Sequence, residues 1–272
     1  MTIQPVIKVL CATVLAVMVT EIVIAQPNTK LTDEQLVKIQ FDQKPGAAIS
    51  ATLPFVDDTG KSVRLGDYFG RRPSILILGY YGCPMLCTLV LNGVADCLRN
   101  VPGKAGDQYN VIFASIDPAE KPALAADKKA SYNRIYENCG ISQWHFLTGA
   151  ENSISNLASE VGFSYVYDPS VKQFAHPSGF VVLTTDGRVS RYFFGVKFSA
   201  KDVSEALQTA MVNNSGREES KFTLLCFHYA PVHGRYGKSI MIAIRLAGLM
   251  MLAVLAGLFL LPSRRSSKAP KT

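Results

Sequence analysis

Residues Ile75-Leu76-Ile77-Leu78 run almost directly into Gly82-Cys83-Pro84-Met85-Leu86-Cys87, and no other stretch restricts the fold as tightly. A short, β-branched, uninterrupted apolar run reads as a strand buried on both faces. Gly79 and Gly82 loosen the chain where it leaves that strand. Pro84 suits the first turn of a helix, where its missing N–H costs nothing. The Cys-x-x-x-Cys spacing therefore predicts two thiols at the mouth of a helix, four residues apart on one face. N–H groups at a helix N-terminus stabilise thiolate over thiol. Two thiolates so placed can close a disulfide or bind a soft metal, and the motif alone leaves both open.

The rest of the chain alternates strands and helices. Asn28 to Gln40 reads as a short helix, with Thr32 and Gln35 at capping-box spacing. Lys44-Pro45-Gly46 breaks it. Ser50–Val56 and Lys61–Leu65 read as strands of a hairpin turning through Asp57-Asp58-Thr59-Gly60. The thiol helix extends to about Leu98. Tyr109–Ile116 and Gln143–Leu147 are strands, with helices at Ala119–Asn138 and Glu151–Glu160. Gly179–Thr184 and Arg188–Phe194 flank the Asp186-Gly187 turn, and Ser199–Val212 closes as a helix. The expected fold is α/β, a central sheet flanked by helices with an N-terminal hairpin. With the thiols after the first long strand, a thioredoxin-like arrangement is the natural candidate.

The two ends point to export. Lys8, the apolar segment Val9–Val19 and small residues before the Ala25/Gln26 bond fit a signal peptide over residues 1–25. An uncleaved N-terminal anchor is the alternative. Ser239–Leu261 is long enough to span about 30 Å of hydrocarbon, with Arg245 near one end, where it can snorkel. Arg264, Arg265, Lys268 and Lys271 follow, and the positive-inside rule keeps that tail cytoplasmic. The expected organisation is a signal (1–25), a helical linker (26–44), a thioredoxin-like domain (45–212) and a membrane-interface linker (213–238). A transmembrane helix (239–261) and a basic cytoplasmic tail (262–272) complete it. The protein would then be a single-pass protein of the inner (cytoplasmic) membrane, with its soluble domain on the periplasmic side.

Four of the seven excess positive charges lie in the tail, and Lys8 and Glu21 cancel, which leaves +3 on residues 26–261. So ordinary a balance gives nucleic-acid binding no electrostatic support. Cys11 belongs to the signal. Cys97 and Cys139 can pair with each other or remain buried thiols, and Cys226 lies near the membrane segment. Cys226, His228 and His233 form either a second metal site or an aromatic interfacial segment. Met85 is read as a packed or interface residue, and His145, beside Trp144, as structural. Tyr80 and Tyr81 flank the thiol loop, placed to shield it or present it to a partner. Asp117 and Glu120 read as caps of the helix that follows them.

His176 lies in Phe174-Ala175-His176-Pro177-Ser178-Gly179, ahead of a late strand. In a thioredoxin-like sheet the loop before that strand approaches the thiol helix, so an imidazole there can complete a site of two sulfurs and one nitrogen. Soft thiolates favour Cu(I), and imidazole suits both copper oxidation states. A lone loop histidine is also a common surface residue, and spacing alone does not decide. Tyr80-Tyr81-Gly82-Cys83-Pro84-Met85-Leu86-Cys87, then Ser115-Ile116-Asp117-Pro118, Trp144-His145-Phe146-Leu147-Thr148-Gly149 and His176 ahead of Gly179 occur in an order that resembles the Sco/SenC family over roughly residues 45–210. The resemblance implies a membrane-tethered, thioredoxin-like protein that binds copper, as Cu(I), Cu(II) or both, through Cys83, Cys87 and His176. Its implied partner is the cytochrome c oxidase subunit carrying the CuA site, whose metallation it would assist. The competing reading is a thiol-disulfide reductase, with Cys83 and Cys87 as redox thiols keeping the CuA cysteines reduced. Such reductases generally have a two-residue spacer, and this chain has three. Peroxidase chemistry wants an activating arginine beside the nucleophile, and none is evident. Two departures stand out: Ala175 where the family has an aspartate, and a C-terminal rather than N-terminal anchor.

Overall fold

A computed structural model of the chain describes residues 32–83, 86–136, 140–170, 172–214, 246–248 and 250–251. The signal segment, the basic tail, Cys139, Cys226, His228 and His233 lie outside the described residues. So does most of 239–261, of which 246–248 and 250–251 are helical. Among the described residues no helix is long and apolar enough to cross a membrane.

In chain order the elements are α1 (Asp33–Lys38), β1 (Pro54–Asp57), β2 (Ser62–Arg64), β3 (Ser74–Gly79), α2 (Leu86–Leu98), β4 (Asn110–Ser115) and α3 (Pro122–Ile135). There follow β5 (His145–Thr148), α4 (Glu151–Glu160), β6 (Val166–Asp168), β7 (Gln173–Ala175), β8 (Gly179–Leu183), β9 (Val189–Phe194) and α5 (Ala200–Met211). Seven strands form one sheet in the order β2-β1-β5-β4-β3-β8-β9, and β6 and β7 pair separately. β3, β4 and β5 run parallel, while β8 is antiparallel to β3 and β9 to β8. The expected helix-flanked central sheet is present.

Every residue of β3 and β4 is buried, which explains their unbroken apolar sequence: successive side chains enter opposite faces, and both faces are covered. Ile75, Ile77, Val111 and Phe113 join Val90, Leu91 and Val94 of α2, Tyr132 of α3 and Val203 of α5 in one core. Leu76, Leu78, Ile112 and Ala114 join Ile154 and Leu157 of α4, with Phe41 and Phe163, in the other.

Most expected elements appear within a few residues of their predicted bounds. The Thr32–Gln35 box closes reciprocally at 3.3 and 2.9 Å. The β1–β2 turn is held by Asp57, whose carboxylate accepts the N–H groups of Thr59 and Lys61 at 2.9 and 3.0 Å. His145 is structural: its ring packs at a tilt against Tyr68, 4.3 Å away, and burial, with Lys129 adding to it, pushes its pKa down to about 4. Cys97 is a free thiol in the first core rather than half of a bridge, and burial, reinforced by Asp202, raises its pKa to about 11.

Tyr80 and Tyr81 flank the thiol loop as expected, and both are buried, one in each core. They are consecutive residues leaving a strand, so they enter opposite faces. Asp117 and Glu120 do not cap α3, whose N-cap position is Lys121 with no side-chain cap bond. Asp117 instead accepts the Ala119 N–H at 2.8 Å, and Glu120 reaches elsewhere.

Candidate metal centre

Sheet register brings the thiol loop and the histidine loop together. β8 pairs with β3 so that Leu76 lies opposite Val181 and Ser74 opposite Leu183. Continued past Leu78, that register sets His176 beside the Tyr80–Tyr81 step. The contacts agree with it. The Tyr80 ring lies 6.0 Å from the His176 ring, edge to face, and 5.6 Å from Phe174. Cys83 donates its N–H to the Tyr80 carbonyl at 3.4 Å. Cys83 and His176 thus both contact Tyr80, at the end of the sheet where β3 and β4 finish.

Cys83 is half-buried against the second core, just ahead of α2. The first turn of α2 carries no acidic side chain, so its N–H groups face the thiol loop without a competing anion of their own. Cys87 lies in that turn, and its side chain lies outside the described part. Among the described residues, to which the Cys87 thiol does not belong, no group of three or more His, Cys, Asp or Glu is disposed to hold a metal. The donor types named from sequence, two thiolates and one imidazole, suit soft copper.

His176 is half-buried, with Phe163 at 5.7 Å on one side and Tyr80 on another. Its Nδ1 lies 2.9 Å from the Pro177 carbonyl. In the Nδ1–H tautomer that nitrogen donates to the carbonyl, which orients the ring and places the lone pair on Nε2. A main-chain oxygen can therefore do the orienting work of the carboxylate that Ala175 cannot supply. The residues leading into this loop form the β6–β7 hairpin, which the sequence reading missed. It rests on the second core through Tyr165 and Phe174, 5.8 Å apart, and through Phe174 against Tyr80.

Glu120 was missed as part of this end of the sheet. Its side chain accepts the N–H groups of Tyr81 at 2.9 Å and Gly82 at 2.7 Å, and the Ser115 hydroxyl at 2.6 Å. Tyr81 is anchored at its other end too, its hydroxyl lying 2.8 Å from the Leu147 carbonyl and 3.0 Å from that of Phe113. Burial, with Glu120 next in effect, holds its phenol well above the ordinary tyrosine pKa, so the hydroxyl keeps the proton it donates.

No curated protein matches the chain in sequence. A solved protein of Aquifex aeolicus VF5 is 21% identical, with a TM-score of 0.55 over 62% of this chain and 95% of its own. BsSco, a member of the Sco family of cytochrome c oxidase assembly proteins in which a disulfide switch is identified, is 22% identical, with a TM-score of 0.50 over 62% and 96%. Bradyrhizobium japonicum ScoI, solved with copper bound, is 22% identical, with a TM-score of 0.49 over 60% and 100%. At such identities the likeness to the first two is one of fold. The SCO1/SenC family pattern goes further, matching residues 41–212, which take in the whole sheet and both loops at its thiol end. More than half of the sequence thus follows one family's pattern, and the chain belongs to the SCO1/SenC family.

Proposed function

We propose that this protein is a membrane-tethered copper chaperone that assists assembly of the CuA centre of cytochrome c oxidase, holding copper through Cys83, Cys87 and His176. The observation that carries the reading is the convergence of Cys83 and His176 on Tyr80, at the mouth of the helix that bears Cys87. Family membership supports it, since relatives include a copper-bound ScoI and a Sco protein described as an oxidase assembly factor. Thiolate and imidazole donors match the softness of copper.

Anaerobic titration of the detergent-solubilised full chain with Cu(I) is the test. One copper per chain is expected. Outer-shell changes alone weaken metal sites about 10–100-fold, so losing a ligand in Cys83→Ser or His176→Ala is expected to cost at least ~100-fold in affinity. Unchanged affinity and stoichiometry in His176→Ala removes the histidine from the site.

A second reading, thiol-disulfide reductase, is favoured by the vicinal cysteines themselves and by the disulfide switch of BsSco. Either role needs the thiols on the oxidase's CuA side. We place the domain in the periplasm, exported by the 1–25 signal and tethered by 239–261 with the basic tail in the cytoplasm. Added protease is expected to spare the domain in intact cells and digest it once the outer membrane is permeabilised. Digestion only after lysis of the inner membrane reverses the topology.

A further inference from the structure

Glu120 is nine-tenths buried, and the bonds it accepts come from two peptide N–H groups and a hydroxyl. One oxygen takes Gly82 N–H, and the other takes Tyr81 N–H and Ser115 O–H. Two of those donors belong to the two residues immediately before Cys83. The acid stands one residue before the α3 N-cap, Lys121, and the bonds it accepts come from Tyr81, Gly82 and Ser115 rather than from that helix.

We infer that Glu120 is a positioning residue for Cys83, fixing the Tyr81–Gly82 segment so that the thiol meets copper in one geometry; this rests on the copper reading above. The loop is held from several sides. Cys83 N–H is tied to the Tyr80 carbonyl, and Tyr81 is tied by its N–H to Glu120 and by its hydroxyl at the β4 and β5 carbonyls. Ser115 fixes the carboxylate in turn, from the last position of β4, which pairs with Gly79 of β3. The strut therefore runs from the sheet through Ser115 and Glu120 to the residue before the thiol. It also sets one negative charge beside a site that would hold a cation.

Glu120→Gln tests this in the full chain. The variant keeps shape but turns an NH2 group, itself a donor, toward peptide N–H or hydroxyl donors. Cu(I) affinity by chelator competition is expected to fall about 10–100-fold, the range for lost outer-shell partners, with one copper per chain retained. The sulfur-to-Cu(II) charge-transfer band is expected to shift, a change that general destabilisation does not produce. Hydrogen–deuterium exchange over residues 79–83 should quicken. Ser115→Ala removes one bond to the same carboxylate and is expected to lose less affinity, in the same direction. A folded Glu120→Gln that binds copper as tightly as the parent, with the same band, overturns the inference. Should that variant fail to fold, parental affinity in Ser115→Ala overturns it equally. A parent chain that binds no copper defeats the copper reading and this role with it. Faster exchange in Glu120→Gln would then still identify the strut, so the two failures are told apart.

Discussion

Gly179→Ala is expected to cost about 3–5 kcal/mol of stability, combining the strain of a disfavoured backbone region with overpacking against a neighbouring strand. Gly179 opens β8 at φ +144°, a conformation that side chains rarely adopt. A Cβ built there lies 2.1 Å from the carbonyl oxygen of Phe193 in β9. That oxygen belongs to backbone rather than to a flexible side chain, so relief requires β8 and β9 to part. For a domain of this size, 1 kcal/mol moves the unfolding midpoint by roughly 2–4 °C, so a fall of about 10 °C is expected. Thermal unfolding followed by circular dichroism checks it, and a midpoint within about 2 °C of the parent would show that the pair separates at little cost. His176 lies three residues upstream, so a folded variant is also expected to bind copper more weakly.

The strands that carry the thiol end were legible because burial on both faces leaves an unmistakable apolar run, as in Ile75–Leu78 and Val111–Ala114. The β1–β2 turn was legible for a different reason: Asp57 and Gly60 supply turn chemistry that does not depend on the rest of the fold. The β6–β7 hairpin escaped notice because its strands are three residues each and largely polar or half-exposed. Its signals, the Asp168-Pro169-Ser170 turn and the aromatic residues Tyr165, Tyr167 and Phe174, take on meaning only once a core exists for them to rest on.

At the site, residue type made Cys83, Cys87 and His176 candidates, and resemblance to a family chose among the histidines. Nothing comparable exists for Glu120. Two of its three partners are peptide N–H groups 38 and 39 residues away, and any residue at positions 81 and 82 other than proline offers the same donors; the third is the Ser115 hydroxyl. A side chain that recognises backbone leaves no mark in its partner's sequence. Asp117 and Glu120 were read as helix caps because capping is the commonest local use of an acid there; here a turn bond to the Ala119 N–H takes Asp117 and tertiary bonds take Glu120.

In His176→Ala, oxidase CuA assembly at limiting copper is expected to fail while reduction of a model disulfide proceeds at the parental rate. The two candidate roles share the thiols, so Cys83→Ser abolishes both and decides nothing. They differ in what they ask of the imidazole. Disulfide exchange needs a thiolate to attack a disulfide sulfur and a second thiol to resolve the mixed species, and no nitrogen ligand takes part. A copper site of two sulfurs and one nitrogen loses a third of its donors with the ring. The ring also packs against Tyr80 and Phe163, so its removal opens space at the sheet end, and the unfolding midpoint of the variant should be measured beside its activity. A folded variant with parental thiol reactivity and no CuA assembly establishes delivery of metal. Normal assembly at limiting copper makes the protein a reductase of the CuA cysteines, with His176 then serving only as an aromatic-packed element of the loop.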